Sequence, residues 1–416
     1  VTAPRATFSD LDSGAAEVSG AAEVPGVDDP GVLRVSLDVT AVPEQPGGAG
    51  RYTIDLVTAL VARHDVALTL WSRRGDGPRW RDLGSASRAR VIPSSPDHRP
   101  LRLAWEQVAL PGLLRSSSAA VHHGPHYTMP ERARLPRVVT VHDLTLVEHP
   151  EWHERSKVVV LGRAIRVAAR RAEAIVCVSR HTADRFQELF APTGRVFVVP
   201  HGIDHGRFRP ASAPPFSASD DEVLARLGVR PPYVLFVGTL EPRKAVPDLV
   251  AAFDLVAADH PDLSLVLAGR PGWGVEAVDR AVAAAGAGDR VVRTGYVPDD
   301  AVPALLRGAT VAAYPALEEG FGLPALEALA CGTPLVTTIG TTMAELSGGA
   351  ALLVTPGSVP ELSEALRSII EGDPGSGARR RLGLEVAARH TWETSASRHV
   401  SAYRWAAARP GGAPPG

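Results

Sequence analysis

Short apolar runs recur along the chain, separated by stretches of helical periodicity. Val32 to Val39 (VLRVSLDV), Asp65 to Trp71, Ala119 to His123, Arg137 to Val141, Ala174 to Val178 and Val196 to Pro200 read as strands. Between them, Arg51 to Arg63, Leu101 to Leu114, Glu154 to Arg171 and Arg180 to Phe190 carry apolar residues at helical spacing. A Pro/Ser/Ala stretch, Pro210 to Asp221, reads as a linker, and the alternation then restarts. Tyr233 to Val237, Leu263 to Gly269, Val291 to Val297, Ala309 to Tyr314 and Leu335 to Thr337 supply strands, with helices predicted from Pro324 to Gly332, after Pro360, around Arg380 and from Trp392 to Ala407. Strands alternating with helices predict an α/β fold with parallel sheets. The two blocks predict two domains, residues 32–209 and 222–390. Residues 1–31 and 409–416 lack such a pattern and read as a disordered leader and a tail.

Composition fits this division. A chain of 416 residues exceeds one ordinary domain, and 45% hydrophobic residues supply ample core. With 44 basic against 46 acidic residues the net charge is −2, so no global field recruits nucleic acid. Cys177 and Cys331 lie in unrelated apolar segments and read as reduced core thiols of a cytoplasmic protein. No apolar run reaches the ~18 residues that span a bilayer, so the expectation is a soluble protein, at most attached to the inner membrane surface. No metal-type Cys/His cluster is present. His122, His123 and His126 lack the spacing and carboxylates of a metal site and read as cleft lining or surface.

The densest chemistry lies in Tyr314 to Thr337, YPALEEGFGLPALEALACGTPLVT. A strand ends, a turn carries Gly320 and Gly322, and a helix begins with Pro324 at its first position. The N–H groups from Gly322 to Leu326 are expected to converge there on an anion, with the helix dipole behind them. Glu319 and Glu327, separated by seven residues, suit hydroxyl donors rather than the anion itself. A backbone-held phosphate flanked by hydroxylated groups describes a sugar nucleotide. A glycine turn with a dipole-stabilising acid, carrying no ligand, is the competing explanation. At the end of the strand Tyr233 to Val237, Gly238-Thr-Leu-Glu-Pro-Arg243-Lys244 places two cations where they neutralise a diphosphate. Gly47-Gly48-Ala49-Gly50 fails as a dinucleotide fingerprint, because Thr53 stands where the third glycine belongs. It reads as a loop that lets backbone approach a ligand across a cleft, or as a tight structural turn.

The run Glu319-Gly-Phe-Gly-Leu-Pro-Ala-Leu-Glu327 with Ala328-Leu-Ala-Cys-Gly-Thr-Pro334 resembles the E-x7-E signature of retaining GT-B glycosyltransferases of family 4. The resemblance spans roughly residues 32 to 408 and implies two Rossmann-like domains facing across a cleft. The helix near residues 391–408 is then expected to cross back to the first domain. It assigns Gly48 and Gly50 to the N-terminal G-G-x-G-R-Y loop and His142 of the V-H-D-L segment to a donor-sugar or acceptor contact. Gly238, Arg243 and Lys244 fall to the diphosphate, and Gly320, Phe321, Gly322 and Leu323 to the glycine turn. Tyr296 and Val297 are expected beside the base, Glu327 on the ribose and Glu319 on the sugar. Relatives carry an additional Arg where this chain has Thr239. The implied reaction is metal-free, retaining transfer of a hexose from a nucleotide sugar, GDP-mannose favoured, to a hydroxyl of a glycan or lipid-linked acceptor, with no resident cofactor. Arg163, Arg166 and Arg170 on one helix face suit solvent, or peripheral contact with an anionic membrane. A carboxylate-pair glycoside hydrolase and a catalytically silent sugar-nucleotide binder remain the alternatives.

Overall fold

The computed structural model describes residues 31–83, 89–211 and 218–409. Most of the expected leader, the middle of the linker (212–217) and nearly all of the tail lie outside the described residues.

The first half contains strands β1 (Leu33–Asp38), β2 (Val66–Arg73), β3 (Ala89–Ser95), β4 (Val121–Gly124), β5 (Arg137–Val141), β6 (Ala174–Cys177) and β7 (Arg195–Val198). Its helices are α1 (Gly48–Val61), α2 (Gly77–Leu83), α3 (Arg99–Val108), α4 (Leu110–Arg115), α5 (Thr145–Glu148), α6 (Arg155–Arg171) and α7 (Arg180–Phe190). The second half runs α8 (Ala218–Arg226), β8 (Tyr233–Val237), α9 (Val246–Ala257), β9 (Ser264–Ala268), α10 (Glu276–Ala284), β10 (Val291–Gly295), α11 (Val302–Gly308), β11 (Val311–Tyr314), α12 (Leu323–Cys331), β12 (Leu335–Thr338), α13 (Thr342–Ser347), β13 (Leu352–Val354), α14 (Val359–Ile370) and α15 (Ser376–Ala388). Helix α16 (Trp392–Ala407) closes the described chain.

The strands form a 7-stranded sheet in the order β3-β2-β1-β4-β5-β6-β7 and a 6-stranded sheet in the order β10-β9-β8-β11-β12-β13. Every pairing between these strands is parallel. Helices cover both faces, which is why β5, β6, β11 and β12 read as almost unbroken apolar or small-residue runs. Strand order reverses between β1 and β4 and again between β8 and β11. At such points the loops leaving the strands diverge and open a crevice beyond their C-terminal ends.

Three boundaries differ from expectation for local reasons. Helix α1 begins at Gly48 because Gly47 is extended (φ −90°, ψ −168°) and its carbonyl already accepts the Arg51 N–H at 2.8 Å. Gly48 and Gly50 therefore lie in the first helical turn and not in a free loop. The single helix expected from Leu101 to Leu114 is divided at Ala109, where Pro111 has no N–H with which to continue the ladder. At the start of α12, Gly322 is the cap and Leu323 the first residue, so Pro324 is the second.

Helix α16 returns to the first half. Trp392, Ala396, Val400, Tyr403 and Ala406 are buried in one core with Val35, Leu37, Tyr52 and Leu56 of β1 and α1. The two chain crossings run side by side: the Ile203 N–H donates to the His390 carbonyl at 3.1 Å, and a Cβ on Gly202 would lie 2.2 Å from the Trp392 nitrogen.

Candidate active site

The site is built where the C-terminal ends of the two sheets face each other. After β8, the chain takes a left-handed step at Gly238 (φ +154°), against which Gly269 packs so closely that a Cβ there would lie 1.8 Å from the Gly238 carbonyl oxygen. A single 3-10 turn, Pro242–Lys244, follows. The Arg243 carbonyl accepts from the Leu317 N–H at 2.8 Å, which pins this basic turn to the loop leaving β11. Arg243 Nη1 then reaches Glu319 Oε2 at 3.0 Å, Arg243 Nε lies 3.3 Å from Glu241 Oε2, and Lys244 Nζ is ion-paired with Glu319 Oε2. Burial pushes the Lys244 ammonium pKa well down and neighbouring Arg243 adds to this, against Glu241 and Asp143. Glu319 is thus the ion-pair partner shared by both basic side chains, and Glu241 is a second partner of Arg243.

The glycine turn is shaped by contact. A Cβ on Gly320 would lie 1.7 Å from the His142 carbonyl oxygen, so only glycine lets this loop of the second half touch the end of β5 in the first. Gly322 is left-handed (φ +92°), and a Cβ there would meet the Met343 side chain at 2.4 Å. The Ala325 and Leu326 N–H groups both close on the Gly322 carbonyl, at 3.0 and 3.2 Å, and Pro324 has none. The convergence of amides expected from Gly322 to Leu326 is therefore confined to Gly322 and Leu323.

His142 is 9% exposed; its Nε2 lies 2.8 Å from the Pro125 carbonyl and must donate to it, leaving Nδ1 as the acceptor of a neutral ring. Burial lowers its pKa, against the Pro125 hydrogen bond and Asp143. For Asp143, burial alone would raise the pKa, but Arg243 and the bond from Thr145 Oγ1 (2.8 Å) hold it below the usual carboxylate value.

These groups line one cleft of about 680 Å³, bordered by Gly48, Gly50, Arg102, His126, His142 and Asp143 from the first half. Gly238, Thr239, Arg243, Lys244 and the run Glu319 to Leu323 border it from the second. Its size accommodates a small organic ligand carrying several polar groups.

Tyr296, Val297 and Glu327 do not border this cleft. Tyr296 follows β10 half-buried, and Val297 is 6% exposed within the core of the second half. Glu327, the fifth residue of α12 and so beyond its first turn, is 1% exposed and ion-paired with Arg51 Nη2 of α1. Arg51 Nε lies 3.6 Å from Asp299 Oδ2. Burial raises the Glu327 pKa against the pull of Arg51. Glu327 Oε2 is buried without a hydrogen-bond partner. Arg51 stands in the glycine run quoted above, but its partner, 276 residues away, has no local signature.

The two histidines of β4 are neither cleft lining nor surface: His122 and His123 are fully buried, because β4 is a central strand covered on both faces, and of the three expected there His126, beyond the strand, alone reaches the cleft. Among the described residues, no group of three or more His, Cys, Asp or Glu side chains is arranged to hold a metal ion.

Comparison with known proteins agrees with this architecture. The model of Glycosyltransferase Family 4 matches residues 46–207, and that of Glycosyl transferases group 1 matches residues 224–386. The O-antigen chain mannosyltransferase B of Escherichia coli is 29% identical over 307 residues, 73% of this chain and 77% of that protein. A D-inositol 3-phosphate glycosyltransferase of Actinosynnema mirum is 30% identical over 378 residues, 78% and 85% of the two chains. Among solved structures, Anabaena HepE in complex with UDP-glucose superposes with a TM-score of 0.68 at 21% identity, covering 89% of this chain and 99% of that one. The shared architecture is GT-B.

Proposed function

The chain belongs to the glycosyl transferases of group 1, and from that premise we propose that it is a retaining hexosyltransferase that moves mannose from GDP-mannose to a hydroxyl of a glycan or lipid-linked acceptor. One observation carries the reading. Arg243, Lys244, Glu319 and the glycine turn ahead of α12 converge in a single cleft between the ends of two parallel sheets. The mannosyltransferase of E. coli favours mannose, whereas HepE holds a uridine nucleotide, so the donor is the first quantity to measure.

In the reaction, negative charge grows on the nucleoside diphosphate as the bond to the sugar breaks. Arg243, Lys244 and the amides of Gly322 and Leu323 stabilise that charge more in the transition state than in the ground state. The diphosphate replaces Glu319 as their counter-ion, which frees Glu319 to accept from sugar hydroxyls. His142 offers a neutral ring to the sugar or acceptor from the opposite wall. Glu327 lies outside the cleft on Arg51, so its contact with the ribose requires that ion pair to open. Neither acid acts as a nucleophile. A glycosidase needs two carboxyls facing one glycosidic bond, and here Glu327 is buried against Arg51 outside the cleft. With the cations supplied by side chains, transfer proceeds without a divalent metal.

On the outer face of α6, Arg163, Arg166 and Arg170 are exposed near Val159, which is 71% exposed, and this face is the one proposed to rest on an anionic membrane. Among the described residues no helix is long and apolar enough to cross a bilayer.

A melting-temperature panel of GDP, UDP, ADP and their sugars tests the proposal, since a ligand of the native state raises stability with occupancy. The expected result is stabilisation by GDP and GDP-mannose, GDP release that EDTA leaves unchanged, and sedimentation with anionic but not neutral vesicles. Stabilisation by UDP alone replaces the donor; no stabilisation by any nucleotide ends the reading. Activity lost in EDTA and restored by Mg2+ ends its metal-free part.

A further inference from the structure

Behind the cleft wall, a chain of buried hydrogen bonds joins the C-terminal helix to the first half, and its donor directions are determined. His399 Nδ1 lies 2.9 Å from the Ser395 carbonyl, which only accepts, so Nδ1 carries the proton and Nε2 of the neutral ring accepts. Tyr52 OH, 2.8 Å away, therefore donates to His399 Nε2. Thr140 Oγ1, 2.8 Å from the Tyr52 oxygen, must then donate to it. The Thr140 oxygen in turn accepts from His123 Nε2 at 2.8 Å. His123 Nδ1 is left as an acceptor, and Tyr403 OH donates to it at 2.8 Å. Each member has one proton and uses it once. Burial lowers the pKa of both histidines, to about 4 for His399, which keeps the rings neutral at pH 7.

Tyr52, a member of this chain, is fully buried and communicates with the cleft only through the rings packed against its own. His142 stands edge-on to it, with centroids 5.0 Å apart and planes at 82°. His201 lies 4.7 Å away on another side and meets Phe321 edge-on at 4.5 Å. His142 and Phe321 both border the cleft. An apolar filling of the same space would be as stable or more so, because buried polar groups gain little net stability. What the polar chain supplies is direction: each ring has one orientation that leaves no buried group unpaired.

We propose that His399 and Tyr403 of the C-terminal helix are positioning residues for transfer, acting through Tyr52 on the orientation of His142. The proposal rests on His142 facing the substrate. The helix is thereby a functional part of the first half's wall as well as a packing element.

The test uses the full chain with GDP-mannose, or UDP-glucose if the nucleotide panel selects uridine. Tyr403→Phe and His399→Leu are expected to lower kcat about tenfold with KM for the donor little changed, since sub-ångström misplacement of a reacting wall acts on turnover. His399→Gln, which keeps an acceptor toward Tyr52, is expected to retain most of the activity. In a His142→Gln background, Tyr403→Phe is expected to cost nothing further. If the two losses multiply instead, or kcat is unchanged in Tyr403→Phe, the inference falls. If His142→Gln by itself leaves turnover unaffected, the site reading fails first. Should the variants fold poorly, 15N spectra of the wild-type imidazoles decide: His123 protonated at Nε2 and His399 at Nδ1 are required, and either opposite tautomer overturns the proposal.

Discussion

Glu319 illustrates how one side chain can serve both the structure and the proposed reaction. It pairs with both Arg243 and Lys244, whose side chains are only 16% and 13% exposed. Removing it leaves that charge opposed only by Glu241 and Asp143. Glu319→Ala is therefore expected to bind nucleoside diphosphate more tightly while turnover falls by about 100-fold or more, because the sugar loses an acceptor used in the transition state. Calorimetry and single-turnover kinetics read the two effects separately, and an unchanged turnover would refute its assigned role. Gly320 and Gly322 are equally particular. The first is glycine because the His142 carbonyl lies against it, the second because its φ is +92°.

At the scale of elements, α1 and α12 are joined by the buried ion pair of Arg51 and Glu327, and the turn after β8 is joined to the β11 loop through the Arg243 carbonyl. Breaking a buried pair from one side leaves an unpaired charge, which costs about 3 kcal/mol or more. Arg51→Met is therefore expected to lower stability at pH 7 by that order. The double variant with Glu327→Gln is expected to recover most of the loss, since the pair is coupled. Urea unfolding of the four proteins gives the coupling directly, and additive losses would show that the two side chains do not act as a unit.

Across the whole molecule, the buried titratable groups set an acid limit on stability. Burial holds the pKa of His122 and His126 at about 3 and of His399 at about 4, with His123 and His201 lowered as well, from an ordinary value of 6.5. Below pH 6.5 the unfolded chain takes up these protons and the folded one does not, so stability falls on acidification, by up to about 1.4 kcal/mol per pH unit for each ring. Buried acids act in the opposite sense. Burial raises the pKa of Glu106 to about 8 and of Asp55 to about 6, and also raises those of Asp38 and Glu327, so these groups favour the folded state at lower pH. The histidines outnumber them between pH 5 and 6.5, and Glu106 opposes further gain toward pH 8. The melting temperature is expected to peak near neutrality and to fall by roughly 2–5 °C from pH 7 to pH 5. A flat or rising profile on acidification would contradict this assignment.

Much of the molecule was legible before its structure. Alternating apolar runs and helical periods placed most strands of both sheets, because a parallel strand buried on both faces must be apolar over its whole length. Positions such as Gly322 and Arg243-Lys244 were readable because their chemistry is local: a helix start, a strand end, adjacent cations. Boundaries set by a single capping carbonyl, as at Gly47, shifted by a few residues. Only the tertiary structure decided which groups are partners. Glu327 to Arg51, Lys244 to Glu319, and the chain from Tyr403 through Tyr52 to His399 join residues tens to hundreds of positions apart. The sequence by itself determined which segments become strands and helices and which charges stand at their ends. The meeting of those charges depended on how two sheets and a returning helix close on one another, since hydrogen bonds and ion pairs form over about 3 Å of space whatever the distance along the chain.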